Sequence, residues 1–368
     1  MRKWRRRACG YALLIGASLV LLSQLVIRLR KIDNTRLRTC NCTDEQGSVH
    51  DFCYRPPNTN KPKRHGLPFD CSYLPTLKSL RLTPNAADYL NLTQQPAKEA
   101  QFFTAVSNNH WIELQRMLQR VQHFYPKRKI IVYDLGLSTR SATLVKTYCN
   151  VVYRSFDFDK YPYYVRRLRE YRWKPLLLAE MLLEFSAVWW MDSSMLLTGN
   201  NLEAAVGLVN CRSYQNTERD REKYEILMHS YAGHGMYSST HPDMYEFLPT
   251  DVDLLKRTHQ YETGLVLFVR TRDAMDNVLK WDVLCALEEN CFAPYGSTIP
   301  CDFFNGDKYR HYANCHRFDQ SALNILLINK FPLNARRYTT QSLLHFHFRR
   351  ITQPLKVRRR RCAVAVVD

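Results

Sequence analysis

The sequence predicts an α/β domain, a mostly parallel sheet flanked by helices, set behind an N-terminal transmembrane helix and a stem. Three observations predict it. From Gln101 onward, apolar runs of strand length alternate with apolar stripes of helical spacing. Short polar segments that carry an acid or a Ser-Asn pair close those runs. A twenty-residue run without a charge, Ala8–Ile27, stands ahead of all of this.

Phe102–Val106 reads as a buried strand running into Ser107-Asn108-Asn109, which suits a helix start. Trp111, Leu114, Leu118, Val121 and Tyr125 then form one helical stripe, ended by Pro126. Lys129–Tyr133 is a second strand, closed by Asp134-Leu135-Gly136. A helix over 139–148 and a strand over 151–156 follow. Trp173-Lys174-Pro175 opens the next helix, with the proline at its first position and Lys174 just ahead, where charge and helix dipole favour phosphate. That helix leads into the strand Ala187–Met191, which ends in Asp192. Alternation at this spacing makes parallel strands, whose ligands bind beyond the carboxyl ends. Ser107, Asp134 and Asp192 all fall at that edge.

Ala8–Ile27 is long enough, at about 1.5 Å per residue, to cross the roughly 30 Å of a bilayer core. Arg28, Arg30 and Lys31 follow it directly, where a cleaved signal peptide would have small residues, so it reads as an uncleaved anchor. Arg2, Lys3, Arg5, Arg6 and Arg7 outweigh the basic group beyond it and hold the N-terminus in the cytosol. The expected organisation is a cytosolic tail at 1–7, the span at 8–27 and a proline-broken luminal stem at 28–100. A catalytic-type domain at 101–355 and a basic tail at 356–368 complete it. This organisation predicts a single-pass type II protein of the Golgi or endoplasmic reticulum membrane.

Eleven of the twelve cysteines lie past the anchor, which fits an oxidising lumen. Cys285, Cys291, Cys301 and Cys315 cluster as two disulfides, with three pairings open. Zinc is the weaker reading, since no Cys-x-x-Cys pair occurs there. Asn41-Cys42-Thr43 and Asn91-Leu92-Thr93 are glycosylation acceptors.

The net charge of +19 is concentrated partly in the two terminal runs, Met1–Arg7 and Lys356–Arg361. No nucleic-acid module is visible, so nucleic acid is excluded as a partner. The remaining excess favours an anionic ligand, either a nucleotide diphosphate or an acidic glycan. At 45% hydrophobic residues the chain is not a disordered polymer.

The strand with Ser-Asn after it, then Ile130-Ile131-Val132-Tyr133-Asp134-Leu135-Gly136, resembles the opening of the nucleotide-diphospho-sugar transferase superfamily. Trp-Lys-Pro ahead of Trp189-Trp190-Met191-Asp192-Ser193-Ser194 is similar to that superfamily's Asp-x-Asp region. The likeness extends to Tyr261–Phe268 and Asp319–Asn324, and Tyr231–Pro249 is similar to a membrane-anchored animal branch. The resemblance implies a GT-A-like Rossmann-type fold and a glycosyltransferase that moves a sugar from a nucleotide-diphosphate donor to a glycan, protein or lipid acceptor. It implies donor contacts at Ser107, Asp134, Lys174, Asp192 and Ser194, and catalytic carboxylates at Glu262 and Asp319. A divalent cation, manganese or magnesium, is implied at Asp192 with His345 and His347. One departure stands out: Ser194 occupies the place of the family's second acidic ligand. That keeps open a non-catalytic sugar- or nucleotide-binding protein of the same fold. A methyltransferase using S-adenosylmethionine is the weaker rival, because Leu137, Ser138 and Thr139 stand where its first motif needs glycines.

Overall fold

The computed structural model describes residues 37–57, 65–84, 89–92, 94–214, 225–340 and 348–350. Its centre is a six-stranded sheet. Strands β1 (Asn41–Thr43) and β2 (Val49–Asp51) form a separate hairpin, followed by helix α1 (Leu74–Ser79). Then come β3 (Gln101–Val106), α2 (Trp111–Phe124), β4 (Ile130–Asp134), α3 (Thr139–Val145) and β5 (Val151–Ser155). Helix α4 (Trp173–Glu184) feeds β6 (Ala187–Met191), and β7 (Met195–Leu197) and α5 (Leu202–Tyr214) follow. The rest holds β8 (Ile226–Met228), β9 (Tyr231–Gly235), β10 (His259–Tyr261), β11 (Leu265–Val269), α6 (Lys280–Leu287), α7 (Phe318–Lys330) and β12 (Phe348–Arg350).

The sheet order is β5-β4-β3-β6-β11-β8. β5, β4, β3 and β6 run parallel, and β11 is antiparallel to both β6 and β8. Successive residues of each strand go to opposite cores. Phe103, Ala105, Ile131, Tyr133, Val188 and Trp190 join α4, α6 and α7 on one face. Phe102, Val106, Ile130, Val132, Trp189 and Leu267 join α2 and α5 on the other. A sheet covered on both faces explains why its strands read as unbroken apolar runs.

Helix α4 starts at Trp173, so Pro175 is its third residue and Lys174 lies inside the first turn rather than ahead of it. The proline is harmless there because first-turn N–H groups have no intrahelical acceptor. Asp319 likewise belongs to the first turn of α7, which begins at Phe318.

The larger difference concerns the segment read as stem. Phe52, Tyr54, Phe69, Leu74, Leu77 and Leu82 are buried in the same core as α6 and α7. Tyr54 and Phe69 meet Trp281 in α6, and Phe69 stacks on Phe247. Cys40–Cys53 and Cys42–Cys71 staple this segment. Gly66 N–H donates to Tyr54 O at 2.9 Å, and Leu67 N–H donates to Glu246 O at 2.7 Å. A Cβ at Gly66 would lie 2.0 Å from Phe247 O, so only glycine permits that approach.

Of the three pairings open for the clustered cysteines, the structure has Cys285–Cys291 and Cys301–Cys315. Cys149 is disulfide-bonded as well. Asn41 and Asn91 are both exposed. Among the described residues no helix is long and apolar enough to cross a membrane. Ala8–Ile27 lies outside them, as do His345, His347 and the tail 356–368.

Candidate active site

Three charged side chains meet at the carboxyl edge of the sheet. β6 delivers Asp192, whose N–H donates to Gly264 O at 2.8 Å and whose carbonyl accepts from Met195 N–H at 2.9 Å, closing a turn. The turn aims the carboxylate back along the strand, where Trp190 Nε1 donates to Asp192 Oδ1 at 2.9 Å. Because α4 runs back across the sheet before β6 begins, its first turn sits at the same edge. Lys174 Nζ lies 3.1 Å from Asp192 Oδ1 and 2.8 Å from Asp319 Oδ2. Thr263, in the β10–β11 turn, donates its hydroxyl to Asp319 Oδ2 at 2.6 Å.

Electrostatics decide the state of the lysine. Burial alone would discharge it, yet the attraction and hydrogen bonds of Asp192 and Asp319 outweigh burial and hold its pKa above the ordinary value. The ammonium also lies 4.9 Å from the Trp190 ring centroid. Asp192 keeps 24% of its side-chain surface, against 10% for Lys174 and 11% for Asp319, so Asp192 is the member that an incoming ligand meets.

Behind the triad a cavity of about 30 Å³ is lined by Lys174, Trp190, Thr263, Asp319 and Asp282. Asp282 Oδ1 is buried without a hydrogen-bond partner. Burial, reinforced by Asp319 and opposed by Lys174, pushes the Asp282 carboxyl well above its ordinary value and favours its neutral form.

The other expected residues fall around this centre. Asp134 ends β4 at the same edge, but Gly136 N–H, Leu137 N–H and the Tyr153 hydroxyl already engage its two oxygens. Ser107 follows β3 and donates to Asn109 Oδ1 at 2.5 Å. Ser194 is half-buried in the turn after Asp192. Glu262 is half-buried and anchored by its N–H on Ser230 O at 2.7 Å; its neighbour Thr263, not Glu262, bonds Asp319. Thr263, Trp190 and Asp282 escaped sequence reasoning. Only Asp282 left a signal, as a lone acid among Val278, Leu279, Trp281, Val283 and Leu284.

The described residues do not make a divalent-cation site here. Of the implied ligands only Asp192 is described, Ser194 stands in the second place, and an ammonium occupies the space beside Asp192 Oδ1. The single cluster of three metal-type side chains among the described residues is Cys40, Cys53 and His65, and its two cysteines form a disulfide.

Residues 40–179 match the model of a family described as a protein of unknown function, DUF1647. The match covers less than half of the chain, and it takes in the stapled segment together with the first strands of the sheet. No curated protein matches the chain. Among solved structures it is similar to the bifunctional glycosyltransferase WbbM in its apo form, at 14% identity and TM-score 0.38, over 63% of this chain and 38% of that one. It is similar to the galactosyltransferase LgtC in complex with donor and acceptor sugar analogs, at 12% identity and TM-score 0.38, over 69% and 87%. Mouse xyloside xylosyltransferase 1 in its apo form gives 10% identity and TM-score 0.38, over 66% and 84%. Likenesses of this size carry no function to the chain, which spans little more than a third of the first.

Proposed function

We propose that the chain is a glycosyltransferase using a nucleotide-diphosphate sugar, with Lys174, Asp192 and Asp319 at its centre. The carrying observation is the position of the Lys174 ammonium. It is charged and shared by two carboxylates, and it sits where the first turns of α4 and α7 meet the carboxyl edge of a parallel sheet. Ligands of such sheets bind at this edge, and helix starts favour anions. In the transfer, the bond from the anomeric carbon to the diphosphate oxygen breaks and the acceptor hydroxyl oxygen bonds to that carbon. Lys174, paired with Asp192 and Asp319, offsets their charge where negative charge develops on the leaving diphosphate. The hydroxyl proton goes to a carboxylate, for which Asp319 and Glu262 are the candidates. The donor sugar is of hexose type and the acceptor a glycan, protein or lipid. The proposal includes the type II topology in the Golgi or endoplasmic reticulum membrane, with Asn41 and Asn91 glycosylated.

Thermal unfolding of the full chain with added nucleotides tests the reading. Binding at a hundred times Kd raises stability by about 2.7 kcal/mol. Uridine or guanosine diphosphate should raise Tm, and Asp192→Asn should keep the fold while losing sugar transfer. A shift with S-adenosylmethionine and none with nucleoside diphosphates would sink the proposal. Nucleotide binding without turnover on any glycan would favour the non-catalytic binding reading, which Ser194 supports.

A further inference from the structure

A cleft of about 690 Å³, well inside the size range of ligand sites, has in its lining Phe318, the residue before Asp319. One wall is the segment 167–170, ahead of α4. The other is the segment 289–300, with Phe318 also in the lining. Both walls are fastened. Cys285–Cys291 and Cys301–Cys315 bracket the loop that carries Tyr295. Arg172, fully buried behind the first wall, donates to the carbonyls of Ala286, Glu288 and Glu289 at 3.1, 2.9 and 2.6 Å. Arg167 reaches across to Glu289 at 3.1 Å and also pairs with Glu170.

These pairs leave a definite remainder. Glu170 and Glu289 are engaged by Arg167, and Glu170 by Arg172 as well. Arg169 lines the same cleft and is exposed, and among the described residues it has no ion pair or hydrogen bond. Tyr295 presents 61% of its surface at the rim. An exposed aromatic face matches the apolar face of a sugar ring. An uncommitted guanidinium matches a carboxylate or sulfate through two parallel hydrogen bonds.

We infer that this cleft is the acceptor site and that the acceptor is an acidic saccharide, its charged group on Arg169, a ring on Tyr295, and its reactive hydroxyl toward Asp319. The inference rests on the proposed transferase reading and adds the substrate class.

The full chain is titrated with a hexasaccharide of alternating uronic acid and N-acetylhexosamine, and with its neutral carboxyl-reduced counterpart. Nucleoside-diphosphate binding is followed in parallel by thermal shift. The acidic hexasaccharide should bind better than the neutral one. Arg169→Glu should weaken it about tenfold or more, as the loss of a charge-assisted bond predicts. Tyr295→Ala should weaken both saccharides. Lys127→Glu, an equal charge change at an exposed distant position, should change binding less than about twofold. The nucleotide shift should survive both cleft variants. Equal binding of the two saccharides, or equal losses from Arg169→Glu and Lys127→Glu, would overturn the inference while leaving the transferase reading intact. Loss of the nucleotide shift in Arg169→Glu would overturn it by making the cleft part of the donor site. Saccharide binding that depends on Arg169, in a chain blind to every nucleotide, would instead defeat the transferase reading and keep the cleft.

Discussion

Lys174 Nζ stands 2.8 Å from Asp319 Oδ2, a bond between the first turns of two helices 145 residues apart in sequence. Removing the ammonium would leave Asp319 and Asp192 facing each other with no counter-charge. Stranding a buried partner in this way costs about 3–5 kcal/mol. Lys174→Met should therefore destabilise strongly, and Lys174→Met with Asp319→Leu should recover part of the loss. Urea unfolding of both variants measures this. A double variant no more stable than the single one would contradict the pairing.

Asp282 gives a prediction with a definite sign. Its carboxyl is held far above the usual range, so the folded state resists ionising it. The unfolded chain ionises it near its ordinary pKa of 3.8. Stability is thus full below that value and falls as pH rises above it. Asp282→Asn should match the wild type in melting temperature near pH 4 and exceed it increasingly toward pH 8. A difference independent of pH would show that the carboxyl is not buried as described.

His316 acts in the opposite direction. It is fully buried, its Nδ1 accepts from His241 N–H at 3.1 Å, and its Nε2–H donates to Phe292 O at 3.0 Å. Burial lowers its pKa to about 3, with the Phe292 bond opposing and the charge of Arg172 among the groups adding to it. The unfolded chain takes up the proton first as pH falls below about 6.5. Stability should be lost progressively from there toward pH 3, by on the order of 4 kcal/mol in all. His316→Gln, measured by unfolding at pH 7, 6 and 5, should flatten that slope. A slope unchanged by the substitution would assign it to other groups.

Gly66 tests the docking of the stapled segment. An alanine Cβ would lie 2.0 Å from Phe247 O and 2.7 Å from Phe247 C, both of them backbone atoms. Overpacking of this kind costs about 1–3 kcal/mol, and more where backbone must move. Gly66→Ala should lower Tm clearly, whereas Gly47→Ala, with open space around it, should suffer only from its positive φ. Equal losses would mean that the approach of 66 to 247 is not tight.

Strands β3 to β6 and their helices are legible in the sequence because each carries its own period and its own stop. Asp192 and Lys174 are legible for the same reason, since each sits where a regular element begins or ends. The antiparallel entry of β11 is not, because an apolar run of five residues carries no direction. The docking of the stapled segment is not legible for a related cause. Tyr54 and Phe69 bury themselves against Trp281 and Phe247, partners about two hundred residues away, so their spacing follows those partners and has no period. The bond from Thr263 to Asp319 is likewise a product of the fold and leaves no local mark.

The docking of that segment also has a consequence in time. Asn329, near the end of α7, donates to the Tyr54 hydroxyl across 275 residues, and Lys280 Nζ donates to Asp51 O across 229. A ribosome delivers Asp51 and Tyr54 long before either partner exists. The early segment must therefore wait, with Cys40–Cys53 and Cys42–Cys71 closing short loops that need nothing from the rest of the chain. Contacts so distant close slowly. Completion of the core waits until α6 and α7 have been made, and a nascent chain halted before Phe247 would carry Tyr54 and Phe69 uncovered, as a ready target for chaperones.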